Sequence, residues 1–259
     1  MTKITLDLNK SVEENASTYF EKSKKQKKKL EGALPALEES RRKLAKLERQ
    51  KAFEADVKEE EKVERKKKWF EKFRWFFVSN GMMVIGGRDA TTNEIVIKKH
   101  TDADDLVFHT DMAGSPFFVL KTEGKEVSKE IMKEVADATC SFSRAWKLGL
   151  GSQQVFYVKP EQVTKEANTG EYLTKGAFVI KGKTNYMENE INLAIGAMDD
   201  KTIMCAPLSA VKAHCKTFLI VQPGNEKSSS VAKLIQKKLG AGDLDEIIRA
   251  LPAGGCKVK

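Results

Sequence analysis

The sequence is poor in the residues that build metal and acid–base sites. It has four cysteines and three histidines in 259 residues. Cys140, Cys205, Cys215 and Cys256 are widely scattered, and no CxxC pair gives zinc-cluster spacing. GxSxG, HExxH, GxGxxG and a complete P-loop are all missing, so the common hydrolase, metalloprotease and nucleotide sites leave no signature. No apolar run reaches 18 residues, and the start MTKITLDLNK has no apolar h-region. Neither a membrane helix nor a signal peptide is predicted. Cys140 and Cys205 sit in apolar stretches and read as buried thiols in a reducing, cytosolic setting. No fixed-period repeat or low-complexity linker occurs.

What the sequence does have is charge, unevenly placed. Charged residues make up 32% of the chain, above the usual ~25% of globular domains. Residues 1–76 hold 22 Lys/Arg against 15 Asp/Glu; the rest holds 24 against 22. Such a basic balance favours RNA, DNA or an acidic membrane surface, or simply a solvated lysine-rich helix.

Residues 11–68 are a charged, helix-favouring tract. Ser11 is the candidate cap, with Glu13 and Glu14 in the first turn. Leu30, Leu34, Leu37, Leu44 and Leu47 follow a heptad seam, and Gly32 with Pro35 marks a kink or a break. A single kinked helix and a helical hairpin both fit. Residues 1–68 are therefore read as a coiled-coil arm.

The texture then changes. FRWFFV and MMVIG flank SNG as a hairpin, and NEIVIKK, DLVFHTD, FFVLK, SQQVFYVKP and GAFVIKGK read as strands. Residues 128–148 predict an amphipathic helix capped by Ser128 and ended by Gly149. INLAIGAM and KTIMCAP look like paired strands, followed by helix SAVKAHC, strand TFLIVQPG and two helices. The fold class is α+β: a mostly antiparallel sheet domain with packed helices after the arm. The boundaries are 69–189 for this domain and 190–259 for a C-terminal α+β extension.

Several residues are candidates for chemistry. QPGNEKSSS has the strand-to-helix placement of an anion loop but lacks the GKS/T arrangement. His109 and Asp111 share a strand face and could do acid–base work, or His109 could tie the adjacent MAGSP loop. His100 and His214 are expected on surfaces. Arg88, with Asp89 in GGRD, could hold a phosphate or fix its own turn. Arg144 lies off the core face of its helix and Trp146 reads as core. Lys165, Lys181 and Lys183 interleave with Tyr172 and Phe178, as in single-strand RNA readers or in an ordinary lysine-rich hairpin.

Together, KWFEKFRWFFVSNGMMVIGGRDATTNEIVIKKH, DLVFHTDMAGSP, FSRAW and VKPEQVTKEANTGEYLTKGAFVIKGKTNY resemble the NFACT-R domain. The likeness is to the C-terminal half of the NEMF/RqcH family of ribosome quality-control factors, archaeal type. Asn15-Ala16 and Tyr19-Phe20 resemble that family's N-A-x-x-Y-F pattern. The resemblance implies an RNA-binding module acting on the large ribosomal subunit and tRNA in the cytoplasm, with no enzyme activity, cofactor, metal or membrane. It implies RNA contacts from Arg88, Asp89, His109, Gly114, Ser115, Arg144, Lys165, Thr169, Gly170, Glu171, Tyr172, Lys181 and Lys183. It also suggests a split or truncated factor, working with an NFACT-N protein in trans. The alternatives are a coiled-coil scaffold for a protein partner, and a hydrolase-like enzyme using His109 and Asp111.

Overall fold

The computed structural model describes residues 4–61, 67–166 and 173–259. The chain divides into two compact units, Met1–Lys66 and Lys67–Lys259.

The first unit is one helix, α1 (Val12–Glu61). Ser11 opens it with a reciprocal cap: Glu14 N donates to Ser11 Oγ at 3.2 Å, and Ser11 N donates to Glu14 Oε2 at 2.8 Å. Buried Asn15 ties the leading segment down, accepting from Asp7 N at 2.9 Å and donating to Asp7 O at 3.0 Å. Tyr19 OH donates to Thr5 O at 2.6 Å. The Asn and Tyr of the N-A-x-x-Y-F pattern thus hold the segment before the helix. α1 runs through Gly32 and Pro35 without a break, which resolves the choice between one helix and a hairpin. Its five seam leucines are all exposed, between 52% and 60%.

The second unit begins with a 3-10 turn, Trp69–Lys72, then β1 (Arg74–Phe77) and β2 (Met83–Gly86). The hairpin falls on Ser79-Asn80-Gly81, and Gly81 takes φ 87° where a side chain would be strained. The next element corrects the sequence reading: residues 90–99 are a helix, α2 (Ala90–Lys99), and not a strand. Asp89 caps it, accepting from Thr92 N at 2.8 Å, while Asp89 N donates to Thr92 Oγ1 at 2.9 Å. The cap overrides the strand preference of Ile95, Val96 and Ile97.

β3 (Leu106–Thr110) and β4 (Phe118–Leu120) follow. The expected helix over 128–148 is two: α3 (Lys129–Ser141) and α4 (Arg144–Leu148). Ser143 makes the break, donating to Cys140 O at 2.6 Å and accepting from Ala145 N at 3.1 Å. Ser128 and Gly149 cap and terminate as predicted. Then come β5 (Val155–Val158), β6 (Val163–Thr164), β7 (Val179–Ile180) and β8 (Asn185–Met187). The tail supplies β9 (Leu193–Ala197), β10 (Ile203–Ala206), α5 (Leu208–His214), β11 (Thr217–Glu226), α6 (Ser228–Leu239), α7 (Leu244–Ala250) and β12 (Cys256–Val258).

Among the described residues the strands form three antiparallel sheets. Their orders are β1-β2-β4-β3-β5-β8, β10-β9-β11-β12 and β6-β7. The six-stranded sheet is buried on both faces, so successive residues enter different cores. Val84, Phe108, Phe118 and Leu120 join α3 and the four-stranded sheet in one cluster. Ile85, Val107, Val119 and Phe156 join Phe70, Phe73, Val96 of α2 and Phe117 in the other. The 190–259 segment builds its own sheet but shares the first cluster.

All four cysteines are buried free thiols. Burial pushes Cys205 up to about 12, and Cys140 and Cys215 up to about 11. Among the described residues no helix is long and apolar enough to cross a membrane, and no cluster of three metal-ligating side chains occurs.

Candidate nucleic-acid interface

The second core cluster carries α2 on the outside of the six-stranded sheet, and the surface along α2 gathers most of the sequence candidates. Its starting loop is packed tightly. A Cβ on Gly87 would lie 1.8 Å from Asn93 Oδ1, so only glycine lets Asn93 fold back to accept from Phe117 N at 3.2 Å. Phe117 in turn stacks on the His109 ring, centroids 4.0 Å apart and planes at 21°, and meets Phe178 edge-on at 5.3 Å.

Glu94, one residue on, is a three-way clamp. It accepts from Lys165 Nζ at 2.7 Å, Gly176 N at 3.0 Å and Lys98 Nζ at 3.2 Å. Lys165 also lies 4.5 Å from the Phe178 ring centroid. The segment around Gly176 is thereby fastened to α2, with Gly176 against the Ala90 main chain. The Lys165 bond, then the Gly176 N–H and Lys98, hold the Glu94 carboxyl down to about 2. Because the folded value lies below the unfolded one, the clamp is fully present above about pH 4.3 and is lost as pH falls toward about 2. The Gly176 amide is therefore expected to keep its hydrogen-exchange protection down to that window and lose it within it. Glu94→Gln is expected to lose protection already at neutral pH. Unchanged protection in the variant would remove Glu94 as the fastener.

Several sequence candidates turn out to have internal partners. Arg88 donates to Phe73 O at 2.8 Å and to Arg249 O, and burial pushes it down to about 10. Its fork fixes chain positions, one of the two readings open at sequence level. Asp89 is the α2 cap. His109 bonds Ser115 O through Nε2 at 3.3 Å, and burial pushes it down to about 4. At neutral pH it is an uncharged stacking ring tying the loop. Asp111 instead accepts from Tyr186 OH at 3.2 Å. Ser115 is buried, and Gly114 supplies φ 88° at the loop's turn.

Lys181 pairs with Glu166. Gln162 ties the hairpin end, donating to the carbonyls of Lys181 and Lys183 at 2.9 Å each, which leaves the Lys183 side chain exposed. Arg144 is exposed at the start of α4, on the sheet face opposite α2. Thr169, Gly170, Glu171 and Tyr172 lie outside the described residues. Trp146 is core, as predicted. The two histidines expected on surfaces are not free there: His214 Nε2 meets Val78 O at 2.8 Å and His100 lies under Trp69.

That last pair is what sequence reasoning missed. Trp69 is 51% exposed and stacks on His100, centroids 4.8 Å apart and planes at 23°. Burial, then the charges of Lys72, Lys121 and Lys99, push His100 below its usual value. Lys121 is engaged by Asp102 and Asp105. Lys72 and Lys99 are exposed and make no ion pair among the described residues. α2, about 15 Å long at 1.5 Å per residue, carries Lys98 and Lys99 in its last turn, and at its other end the charge of Lys175 helps hold the Asp89 cap carboxyl below its usual value. At its C-terminal end an indole is presented to solvent beside exposed Lys99 and beside Lys72, whose ammonium lies 4.8 Å from the Phe73 ring centroid, the pairing that single-strand readers use. The signal was the basic-aromatic spelling KKKWFEKF, which alternation into strand β1 obscured.

Comparison with known proteins follows the same division. Residues 72–182 match the NFACT protein RNA binding domain, and residues 1–73 match the NFACT N-terminal and middle domains. The chain is 45% identical over 204 residues to the archaeal Rqc2 homolog aRqcH of Methanocaldococcus jannaschii, covering 76% of this chain and 30% of that protein. It is 33% identical over 174 residues to the human ribosome quality control complex subunit NEMF, covering 67% of this chain and 16% of that protein. The chain therefore spans under a third of the length of these relatives. The solved C-terminal structure of the Streptococcus suis fibronectin/fibrinogen-binding protein aligns at TM-score 0.39 with 20% identity, over 50% of this chain and 48% of that one.

Proposed function

From the premise that this chain belongs to the NEMF/RqcH family of NFACT proteins, we propose that it is an RNA-binding part of a ribosome quality-control factor. In this reading it holds ribosomal RNA or tRNA on the large subunit, in the cytoplasm. The observation that carries the reading is the RNA-binding-domain match over residues 72–182, lying on the part that bears the cationic and aromatic band along α2. Lys72, Lys99, Lys175 and Lys183 are the exposed cations for phosphates, and Trp69 is the base platform. In this reading the role is binding, without covalent chemistry: burial lowers the basicity of His109 and its ring is stacked on Phe117, which makes it a poor general base.

Phosphate contacts release counterions, so affinity for a single-stranded oligoribonucleotide is expected to fall linearly on a log–log salt plot. With three to four contacts the slope is about −2 to −3. Filter binding of the whole chain from 50 to 300 mM salt measures it. A flat line, or no binding at the low end, would defeat the reading.

A second reading is favoured by the exposed leucine seam of α1, whose residues Leu30 to Leu47 keep heptad spacing. In it the helix pairs as a coiled coil with a protein partner. Deleting residues 12–61 would then abolish partner capture and leave RNA affinity intact.

A further inference from the structure

The five seam leucines of α1 stand exposed on a helix whose other faces are dominated by charge. A helix of this kind draws its stability from a partner laid along its narrow apolar stripe. The order of residues along α1 selects that partner. Leu34, Leu37, Leu44 and Leu47 are spaced three, seven and three residues apart. The order reads the same in both directions about a midpoint between Ser40 and Arg41. A two-fold contact requires this property, because residue i of one copy meets residue j of the other, and j meets i. Laid antiparallel about that midpoint, two copies set Leu34 level with Leu47 and Leu37 level with Leu44, which makes four leucine levels. Every other antiparallel register of Leu30 to Leu47 makes at most three. A foreign helix could match the leucines, but it would not require their pattern to be its own mirror.

Charge reverses about the same midpoint. Residues 34–40 carry Glu38 and Glu39 and no base, while residues 41–47 carry Arg41, Arg42, Lys43 and Lys46 and no acid. Within the helix Arg42 meets Glu38 at 3.2 Å and Lys43 meets Glu39 at 2.7 Å, with all four side chains exposed. An antiparallel copy brings the acidic half of one seam level with the basic half of the other. A parallel, in-register copy would lay basic on basic and acidic on acidic. It would also lay the six lysines of residues 22–29 beside their own copies, whereas the antiparallel arrangement holds the two lysine tracts about 45 Å apart at 1.5 Å per residue. Like charges at close range oppose pairing and so set its direction.

We propose that α1 binds the α1 of a second copy of this chain, antiparallel, about a two-fold axis at Ser40–Arg41. The proposal rests on the coiled-coil reading of α1 and names the partner.

The test uses the whole chain. In sedimentation equilibrium from about 1 to 200 μM, the mass should rise with concentration from the 29.0 kDa of one chain toward twice that value. Leu37→Ala combined with Leu44→Ala should raise the dissociation constant at least about a hundredfold, since four leucines leave the pair. Both leucines are exposed and alanine favours helix, so the Tm of this variant at low concentration should match the parent. Direction is read from Ser23→Cys carrying a spin label. Ser23 is exposed and the four native thiols are buried, so the label marks one place. Two labels should lie about 50 Å apart in the antiparallel pair and under about 20 Å apart in a parallel one. A monomer at every concentration overturns the proposal, and so does undiminished pairing in the double variant or a short label distance. A monomer whose capture of a protein partner still depends on residues 12–61 overturns self-pairing alone and leaves the wider coiled-coil reading standing.

Discussion

Trp146→Ala is expected to destabilise the 67–259 unit by about 3–5 kcal/mol, the range for deleting a large buried aromatic. Trp146 is 1% exposed and sits in the core cluster shared by the six- and four-stranded sheets. Alanine would leave a void that the flanking sheets cannot close without moving, because both are held by antiparallel ladders. The indole also does a polar job: Nε1–H donates to Gly255 O at 3.0 Å, just before β12. Trp146→Phe separates the two roles. It keeps most of the apolar volume and strips the donor from a carbonyl, at about 1–3 kcal/mol. Against a typical total of about 5–15 kcal/mol, the alanine variant should be marginal at 37 °C and the phenylalanine variant folded. Urea denaturation measures both. A loss below about 1 kcal/mol in Trp146→Ala would contradict the packing described.

The second large effect is on RNA. Trp69→Ala should weaken binding of a single-stranded oligoribonucleotide by roughly 1–3 kcal/mol, the value for one base–aromatic stack. The salt slope should stay that of the parent, because no phosphate contact is removed. Lys72→Ala and Lys99→Ala should do the opposite, each costing less affinity and making the slope shallower by about 0.7. Stability should change little, since Trp69 is half exposed. Parental affinity in Trp69→Ala would exclude the stacking platform while leaving RNA binding as a whole to the salt test.

How much could be read in advance depended on how local each cause was. The Ser79–Gly81 hairpin, the Ser11 and Ser128 caps, the Gly149 stop and the paired strands after residue 190 have their causes within a few residues, and all appear. α2 was missed because a β-branched run, Ile95-Val96-Ile97, outweighed a cap whose two halves are Asp89 and Thr92. The break at Ser143 was missed because Trp146 continues the apolar period of α3 although its helix has restarted. The organisers of the candidate interface were the least legible. Glu94 meets Lys165 and Gly176 across 71 and 82 residues of sequence. Nothing in a single sequence marks a half-buried glutamate as the hub that fastens a distant loop.

The four buried thiols make the 67–259 unit its own reporter. They stand in α3, in β10 and β12 at the two edges of the four-stranded sheet, and just after α5, so each samples a different element. With their acidities suppressed by burial, the closed state offers almost no thiolate to an alkylating reagent at neutral pH. Labelling therefore counts openings, and the order in which Cys140, Cys205, Cys215 and Cys256 react ranks those elements by how often each one breathes.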